Sequence, residues 1–442
     1  MLFKFLKYLQ PTHYFSLLKV NGDSIFPVID ELPKAVLEQL VKDDHYTCEI
    51  AKHYDLSWQA IHKGYIGNAK TYSNIEDLPL VDNYRFARKY FHPGWVFYVL
   101  IIRLLSLNSP FKEFYAWFKT RSAKRIKYLS NPLKYDQWSN FTSQLIKQNP
   151  FVSVVIPTLN RYSFLKDVLK DLEQQDYKHF EVIIIDQSEP FQENFYKSFD
   201  LNIRIIYQKE KALWLARNTA IKSANSELIA FSEDDVRIQP DWISSHLMCL
   251  DFFNTQISAG VFFPEGKPIP KERSYFTLAS QFATGNAMVY KAIFHTVGLF
   301  DRQFEKQRMG DGEFGLRVYL QGLKSISNPY ASCIDVKASE GGLRQMGSWD
   351  AFRTSNLFAP RPIPSVLYFF RRYFGDAQAR LALLRTVPLS IMPYRFKANK
   401  ALQLLGVFVS IIILPLVLFQ VIKSWRLSSI KLKQGPFIEP LS

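Results

Sequence analysis

The sequence predicts an α/β protein built on a mostly parallel sheet flanked by helices. Three observations carry this. Apolar runs at 152–156, 181–185, 203–207 and 228–231 are short and bounded by polar residues, as buried strands are. Between them, 161–174 and 213–224 have helical spacing, with Leu165, Val168, Leu169 and Leu172 on one face of the first. Strands joined by helical crossovers pair in parallel, with right-handed connections. Finally, Asn160, Asp186 and the triplet Glu233-Asp234-Asp235 each follow a strand end, so one rim of the sheet collects them. Ligands of open α/β sheets bind at that rim.

A chain of 442 residues has room for two or three domains. The pattern divides it into a mainly helical accessory region at 1–148, the α/β domain at 149–348 and a helical region at 349–442. With 21% charged and 48% hydrophobic residues it is globular, without a long disordered tract. A net charge of +15 and 15% aromatic residues point to an interface or to anionic ligands. Cys48, Cys249 and Cys333 have no metal-ligand spacing and read as buried thiols in a reducing compartment. Residues 1–14 lack the apolar core and cleavage site of a signal peptide.

In the first region, 31–54 has helical spacing and 75–82 reads as an irregular linker. Residues 95–107 are apolar except for Arg103, too short to span a bilayer, and read as a core or an interfacial helix. Lys119, Arg121, Lys124, Arg125 and Lys127 follow, interleaved with Trp117, Phe118, Ile126 and Tyr128. The plainest reading of that cluster is a solvated helix face, then a surface for anionic lipid, and nucleic acid last.

In the last region, 366–374 and 380–391 are basic and aromatic, and 402–422 is free of charge. That length covers about 30 Å of hydrocarbon as helix. Pro415 sits in its middle and basic residues flank both sides, so it reads as membrane-associated, spanning or re-entrant, in preference to a buried core helix. Membrane lipids are thus expected partners, and nucleic acid is not.

The acidic triplet is where chemistry is expected. Three adjacent carboxylates repel one another and call for a cation. Along extended chain Glu233 and Asp235 share a side, and Asp234 takes the other. Two hard oxygen donors so placed suit Mg²⁺ or Mn²⁺ bridging to phosphates. A solvated acidic turn is the plain alternative. There is no Gly-x-Gly-x-x-Gly after the first strand and no Gly-Lys-Ser/Thr, which argues against a dinucleotide dehydrogenase or a P-loop phosphotransferase.

Several segments, in order, resemble the family 2 glycosyltransferases and their GT-A fold, a Rossmann-like sheet flanked by helices. They are Val154-Val155-Ile156-Pro157-Thr158-Leu159-Asn160-Arg161, Val182-Ile183-Ile184-Ile185-Asp186, Ala216-Arg217-Asn218, Glu233-Asp234-Asp235, Thr284-Gly285-Asn286 and Gly310-Asp311-Gly312-Glu313-Phe314-Gly315-Leu316-Arg317. A last one runs from Asp335 to Arg344. The resemblance implies an inverting transfer of a sugar from a nucleoside-diphosphate sugar to a hydroxyl of a saccharide or lipid-linked acceptor. It further implies work on cell-surface polysaccharide or glycolipid at the cytoplasmic face of a bacterial inner membrane. By the same resemblance Asp311 is the base and Glu313 an acceptor contact. Glu233, Asp235 and Asp335 hold the metal, with Asp335 where a His is common. Pro157, Thr158, Asn160, Asp186, Arg217, Asn218, Asp234, Gly285 and Asn286 line the nucleotide-sugar site, and Trp349 flanks the acceptor. Read by themselves, Asp311 is a helix cap and Asp186 a strand-end cap. Asn286 is a turn residue, and Arg217 a partner of nearby acids. A nucleotidyltransferase on a related fold and a non-catalytic membrane scaffold are the competing readings.

Overall fold

The computed structural model describes residues 1–126, 131–338, 342, 351–353, 356–396 and 399–441. They form two compact units, Met1–Lys134 with Phe370–Leu389, and Tyr135–Phe369 with Ser390–Ser442. The sequence had suggested three consecutive regions. The C-terminal segment is instead divided between the two units.

The first unit is helical: α1 (Leu6–Leu9), α2 (Lys34–Leu37), α3 (Glu49–His62), α4 (Leu80–Tyr90), α5 (Pro93–Leu105) and α6 (Pro110–Lys119). Phe5, Tyr84, Val96, Val99, Leu100 and Ala116 pack its core. The continuous helix expected over 31–54 is broken, because tertiary bonds override the spacing. Gln59 exchanges two hydrogen bonds with the backbone of Val41, at 3.0 and 2.9 Å. Asp82 takes the backbone N–H and the hydroxyl of Thr47, both at 2.8 Å. The expected linker at 75–82 gives way to α4 at Leu80, where Pro79 sets the turn. Beneath these loops a buried polar network is closed. Asp55 accepts from Tyr90 (2.7 Å), Tyr46 (3.1 Å) and Lys89, while Arg85 clamps Asp43 with its closest contact at 2.6 Å.

In the second unit, after α7 (Gln144–Gln148), come β1 (Val152–Thr158), α8 (Tyr162–Glu173), β2 (Phe180–Asp186), β3 (Ile203–Tyr207), α9 (Leu213–Ser223), β4 (Leu228–Ser232) and β5 (Val236–Ile238). Next are α10 (Trp242–Phe252), β6 (Ile257–Pro264), β7 (Thr277–Leu278), β8 (Asn286–Tyr290), α11 (Ile293–Val297), α12 (Gly310–Leu320) and β9 (Ser325–Asp335). The chain ends in α13 (Pro364–Thr386), kinked at Gly375 and counted with the first unit from Phe370 on, then α14 (Lys400–Ile412) and α15 (Leu414–Gln434) of the second unit. The sheet order is β3-β2-β1-β4-β8-β6-β9-β5, with β7 on β9. Every residue of β1 and β2 is buried, which is why both read as unbroken apolar runs. Leu165, Val168, Leu169 and Leu172 of α8 and Trp242, Ile243 and Leu247 of α10 share a core with alternate residues of β1.

The α/β class and the helical flanking regions are as expected. Within the mixed sheet β3-β2-β1-β4 run parallel and β9 is parallel to β6, while β8 is antiparallel to both β4 and β6. The parallel half carries the rim. Thr158, Asp186 and Tyr207 stand level at the ends of β1, β2 and β3.

Among the described residues no single helix is long and apolar enough to cross a membrane. The segment 402–422 is divided between α14 and α15, which bend by 90° at Ile413, with Pro415 in the first turn of α15. A proline is tolerated there, where its missing N–H has no intrahelical partner.

Replacing Lys89 by Met strands the Asp55 carboxylate in the core. Lys89→Met should cost about 3–5 kcal/mol of stability, read from urea unfolding, whereas Lys34→Met on the exposed α2 should cost under about 0.5 kcal/mol.

Candidate active site

Beyond the end of β4 the chain turns through Glu233-Asp234-Asp235 and returns as β5. The three acids take different partners. Asp234 points back under the sheet end, accepting from Thr158 Oγ1 at 2.8 Å and Arg161 Nη1 at 2.9 Å. Asp235 lies 3.1 Å from the same Arg161 Nη1 and accepts from the Ala338 N–H at 3.2 Å. Glu233 points forward, with Arg217 Nη2 at 3.7 Å. Burial pushes the Glu233 carboxyl up to about 7; Arg217 opposes the shift and the neighbouring acids add to it. Asp234 is pushed up to about 6 by burial against the pull of Arg161.

These groups wall a cavity of about 190 Å³, together with Pro157, Gln187 and Asp335. Arg217 lines it from α9 and is 1% exposed. Its guanidinium sits 5.2 Å from the Trp214 ring, and Nε and Nη2 have no hydrogen-bond partner among the described residues. Burial depresses its pKa, while Glu233 and Asp311 favour the charge. A buried cation with donors to spare on a cavity wall is the complement of an anion.

A second cavity, of about 330 Å³, shares Glu233 and is lined by Asp311, Thr284, Gly285, Arg273 and Ser327. Gly285 is required by contact: a Cβ there would stand 2.5 Å from Glu233 Cγ and 2.7 Å from its Oε1. Asp311 lies in the first turn of α12 and accepts from the Gly312 N–H at 2.8 Å. The cap position belongs to Met309, so Asp311 is free to face the cavity as a first-turn acid. Burial raises the Asp311 carboxyl, with the Gly312 N–H, Arg217 and Arg308 opposing.

Five expected site residues face elsewhere. Glu313 is fully buried and bonds Arg317 Nε at 2.8 Å. Two residues along a helix turn about 200°, so Glu313 leaves the cavity that Asp311 faces. Asn218 exchanges two 2.9 Å bonds with the backbone of Phe300. Asn286 joins the Trp242 indole (2.8 Å), His246 (3.1 Å) and the Ala331 carbonyl (2.9 Å), wholly buried between strands. Asp186 is fully buried and takes the Tyr162 and Tyr196 hydroxyls at 2.6 and 2.7 Å and the Ser188 N–H at 2.9 Å. Asn160, at φ 55°, turns its amide to the 188–189 loop, accepting from the Glu189 N–H at 3.0 Å. Trp349 and residues 339–341 and 343–344 of the last motif lie outside the described residues, as do Lys127 and Tyr128.

Two polar side chains on the wall of the smaller cavity, Arg161 and Gln187, were missed. Arg161 was read only as part of a motif, although a cation three residues after a strand that ends beside an acidic triplet is a signal in itself. Gln187 Oε1 accepts from the Ala212 N–H at 2.7 Å, and its Nε2 has no hydrogen-bond partner among the described residues. No pattern in the sequence marks it.

The expected metal ligands Glu233, Asp235 and Asp335 line one cavity, and their oxygens suit a hard cation. Among the described residues, however, no three acids, histidines or cysteines converge on one point, and Arg161 is ion-paired with Asp235.

Residues 153–300 match the family model described as glycosyl transferase family 2. This segment belongs to that family. An uncharacterized glycosyltransferase of Rickettsia felis is 26% identical over 208 residues, 44% of this chain and 34% of that protein. Chondroitin synthase of Escherichia coli is 25% identical over 147 residues, 32% of this chain and 21% of that protein. The matches thus span about a third of such relatives or less. Among solved structures, the mannosyltransferase PcManGT of Pyrobaculum calidifontis, in complex with GDP-Man and Mn²⁺, aligns at TM-score 0.43 and 15% identity, over 67% of this chain and 91% of that one. The family segment contains the acidic turn, Arg161, Arg217 and Gly285; Asp311 and Asp335 follow it.

Asn286→Leu should unfold the second unit more easily by about 2–4 kcal/mol, since it strands the Trp242 N–H and the Ala331 carbonyl. Denaturant midpoints of the variant and the parent measure it.

Proposed function

We propose that the second unit is an inverting glycosyltransferase, moving a sugar from a nucleoside-diphosphate sugar to a hydroxyl of a saccharide or lipid-linked acceptor. The observation that carries this is the pair of cavities meeting at Glu233, one with a buried cation on its wall and the other with a carboxylate. The diphosphate belongs in the smaller cavity against Arg217, with Pro157, Thr158 and the Gln187 amide toward the nucleoside. The acceptor enters the larger one. Its hydroxyl oxygen attacks the anomeric carbon from the side opposite the diphosphate, and its proton passes to an Asp311 carboxylate oxygen. The bond from the anomeric carbon to the β-phosphate oxygen breaks, and the nucleoside diphosphate leaves with the electron pair. The Arg217 charge is fixed where that negative charge grows, so it stabilises the transition state more than the ground state.

Glu233 and Asp235, with Asp335 beside them, are the residues that would hold a Mg²⁺ or Mn²⁺ ion. Bound there, such an ion supplies further charge neutralisation at the diphosphate. Polysaccharide as the product class is supported by the similarity to a chondroitin synthase. Association with a membrane is supported by the bent α14–α15 pair, which exposes Leu404, Phe408, Ile411, Ile412 and Phe419.

Asp311→Asn should lower sugar transfer by about 10²–10⁴-fold while leaving nucleotide binding within about threefold. In the parent, activity should fall on the acid side at a pH above the ordinary carboxylate range, because burial raises the Asp311 pKa and the base form is lost as pH drops through it. Unchanged turnover in Asp311→Asn would remove Asp311 as the base, and absence of transfer from any donor in the parent would favour a scaffold.

Thermal-shift assays with UDP, GDP and dTDP sugars, with and without Mn²⁺, should find one nucleotide class that stabilises the protein, by about 2.7 kcal/mol at a hundredfold excess over Kd. Arg217→Ala should abolish most of that shift.

A further inference from the structure

We propose that the α5–α6 hairpin of the first unit is a membrane-docking element that inserts its apolar tip into an anionic phospholipid surface. The proposal rests neither on the transferase reading nor on α14 and α15.

Pro93–Leu105 and Pro110–Lys119 each have two faces. The inner faces, Val96, Val99 and Leu100 on one and Ala116 on the other, are part of the unit's core. The outer faces are apolar as well. Along α5, Phe97, Ile101 and Leu105 follow one another at a spacing of four and are exposed, the last at 75%. Along α6, Phe111, Phe114, Tyr115 and Phe118 make a matching stripe, with Phe111 at 88%. Leu107, in the turn that joins the helices, is 94% exposed. Residues three or four apart lie on one helix face, so each helix presents a continuous stripe and the turn joins the two. Scattered apolar residues on a surface need no explanation, whereas a contiguous patch marks an interaction site.

The charges decide the partner. Residues 93–126 contain one acid, Glu113. It is 1% exposed and is occupied by Arg103 at 2.6 Å and the Tyr84 hydroxyl at 2.7 Å. Lys112, Lys119, Arg121, Lys124 and Arg125 are exposed with no exposed acid among them. Lys119 lies over the Tyr115 ring at 5.5 Å and Arg121 over the Phe118 ring at 3.8 Å. A protein partner would need an acidic rim around an apolar patch. A lipid surface of anionic headgroups over hydrocarbon offers both layers at once, with aromatic rings between them. With both helices packed inward on one face, the hairpin has the build of an interfacial element that lies in the headgroup layer.

The test uses the full chain. A single environment-sensitive fluorophore is placed on Leu107→Cys and titrated with vesicles of phosphatidylcholine, with and without phosphatidylglycerol. Insertion predicts a blue shift and rise in emission with anionic vesicles and a much smaller change with neutral ones. The triple variant Lys119→Glu, Arg121→Glu, Lys124→Glu should weaken that titration by at least about tenfold, and added salt should weaken it in the parent. Phe111→Ser should lower it too, with an unchanged thermal transition, since the residue touches solvent. Because the probe reports the tip itself, binding through α14 and α15 cannot mimic the result. A protein that floats with anionic vesicles while the probe at 107 stays in water would overturn the proposal. So would a lipid-free dimer that Phe111→Ser dissociates, which would give the patch to a second copy.

Discussion

Three carboxylates in a row at the end of a buried strand are the constraint that the second unit must satisfy. At 4 Å two unit charges repel by about 4 kcal/mol at the effective dielectric of a protein surface. The unit meets this with two guanidinium groups, one from each side. Arg161 reaches from the start of α8 to Asp234 and Asp235, and Arg217 reaches from α9 toward Glu233. The division is unequal. Arg161 pairs closely with both of its acids, and Thr158 adds a hydroxyl, so that half is a fixed cradle. Arg217 stands 3.7 Å from its acid and keeps two nitrogens without a hydrogen-bond partner among the described residues. Free energy left unspent in this way is what a ligand can collect.

That geometry depends on close packing by residues that have no charge. Gly285 gives Glu233 its position, because any side chain there would meet the carboxylate stem. Gly310 lies against the Trp214 ring at the distance where a Cβ would clash, which brings the start of α12, and Asp311 with it, beside the helix that carries Arg217. Glu305 then accepts from the first N–H groups of α9, at 2.8 Å from Leu215, so the helix terminus is satisfied by a residue of the same neighbourhood. The cavity is thus framed by contacts whose energy is repaid by packing and not by ligand.

Legibility followed how local the cause was. Strands β1, β2 and β4 were readable because burial on both faces leaves an unbroken apolar run, and the rim was readable because strand ends follow from strands. The acidic turn and Asp311 were readable for the same reason. Side-chain direction was not. Asp186 and Asn286 sit at positions where the chain was expected to meet a ligand, yet each is saturated by neighbours that are distant in sequence: Tyr196 for the first, Trp242 and Ala331 for the second. The loop at 38–48 was misread as helix because Gln59 and Asp82 capture its backbone, and no periodicity records a tertiary hydrogen bond.

The contrast between Asp311 and Glu313 shows how little separates a reactive carboxylate from a structural one. Both are acids of the same helical turn; Glu313 is fully buried and Asp311 half-buried. Their difference is phase. Asp311 faces a cavity, where burial raises its pKa against the pull of the Gly312 N–H, Arg217 and Arg308. Glu313 faces Arg317, which in turn donates to the carbonyls of Val297 and, at 3.0 Å, Leu299, so the pair holds the turn that follows α11 in place. A carboxylate held at a cavity wall with a raised pKa is the one placed to take a proton. The helical period, acting on two residues of one motif, assigns one to the framework and leaves the other for chemistry.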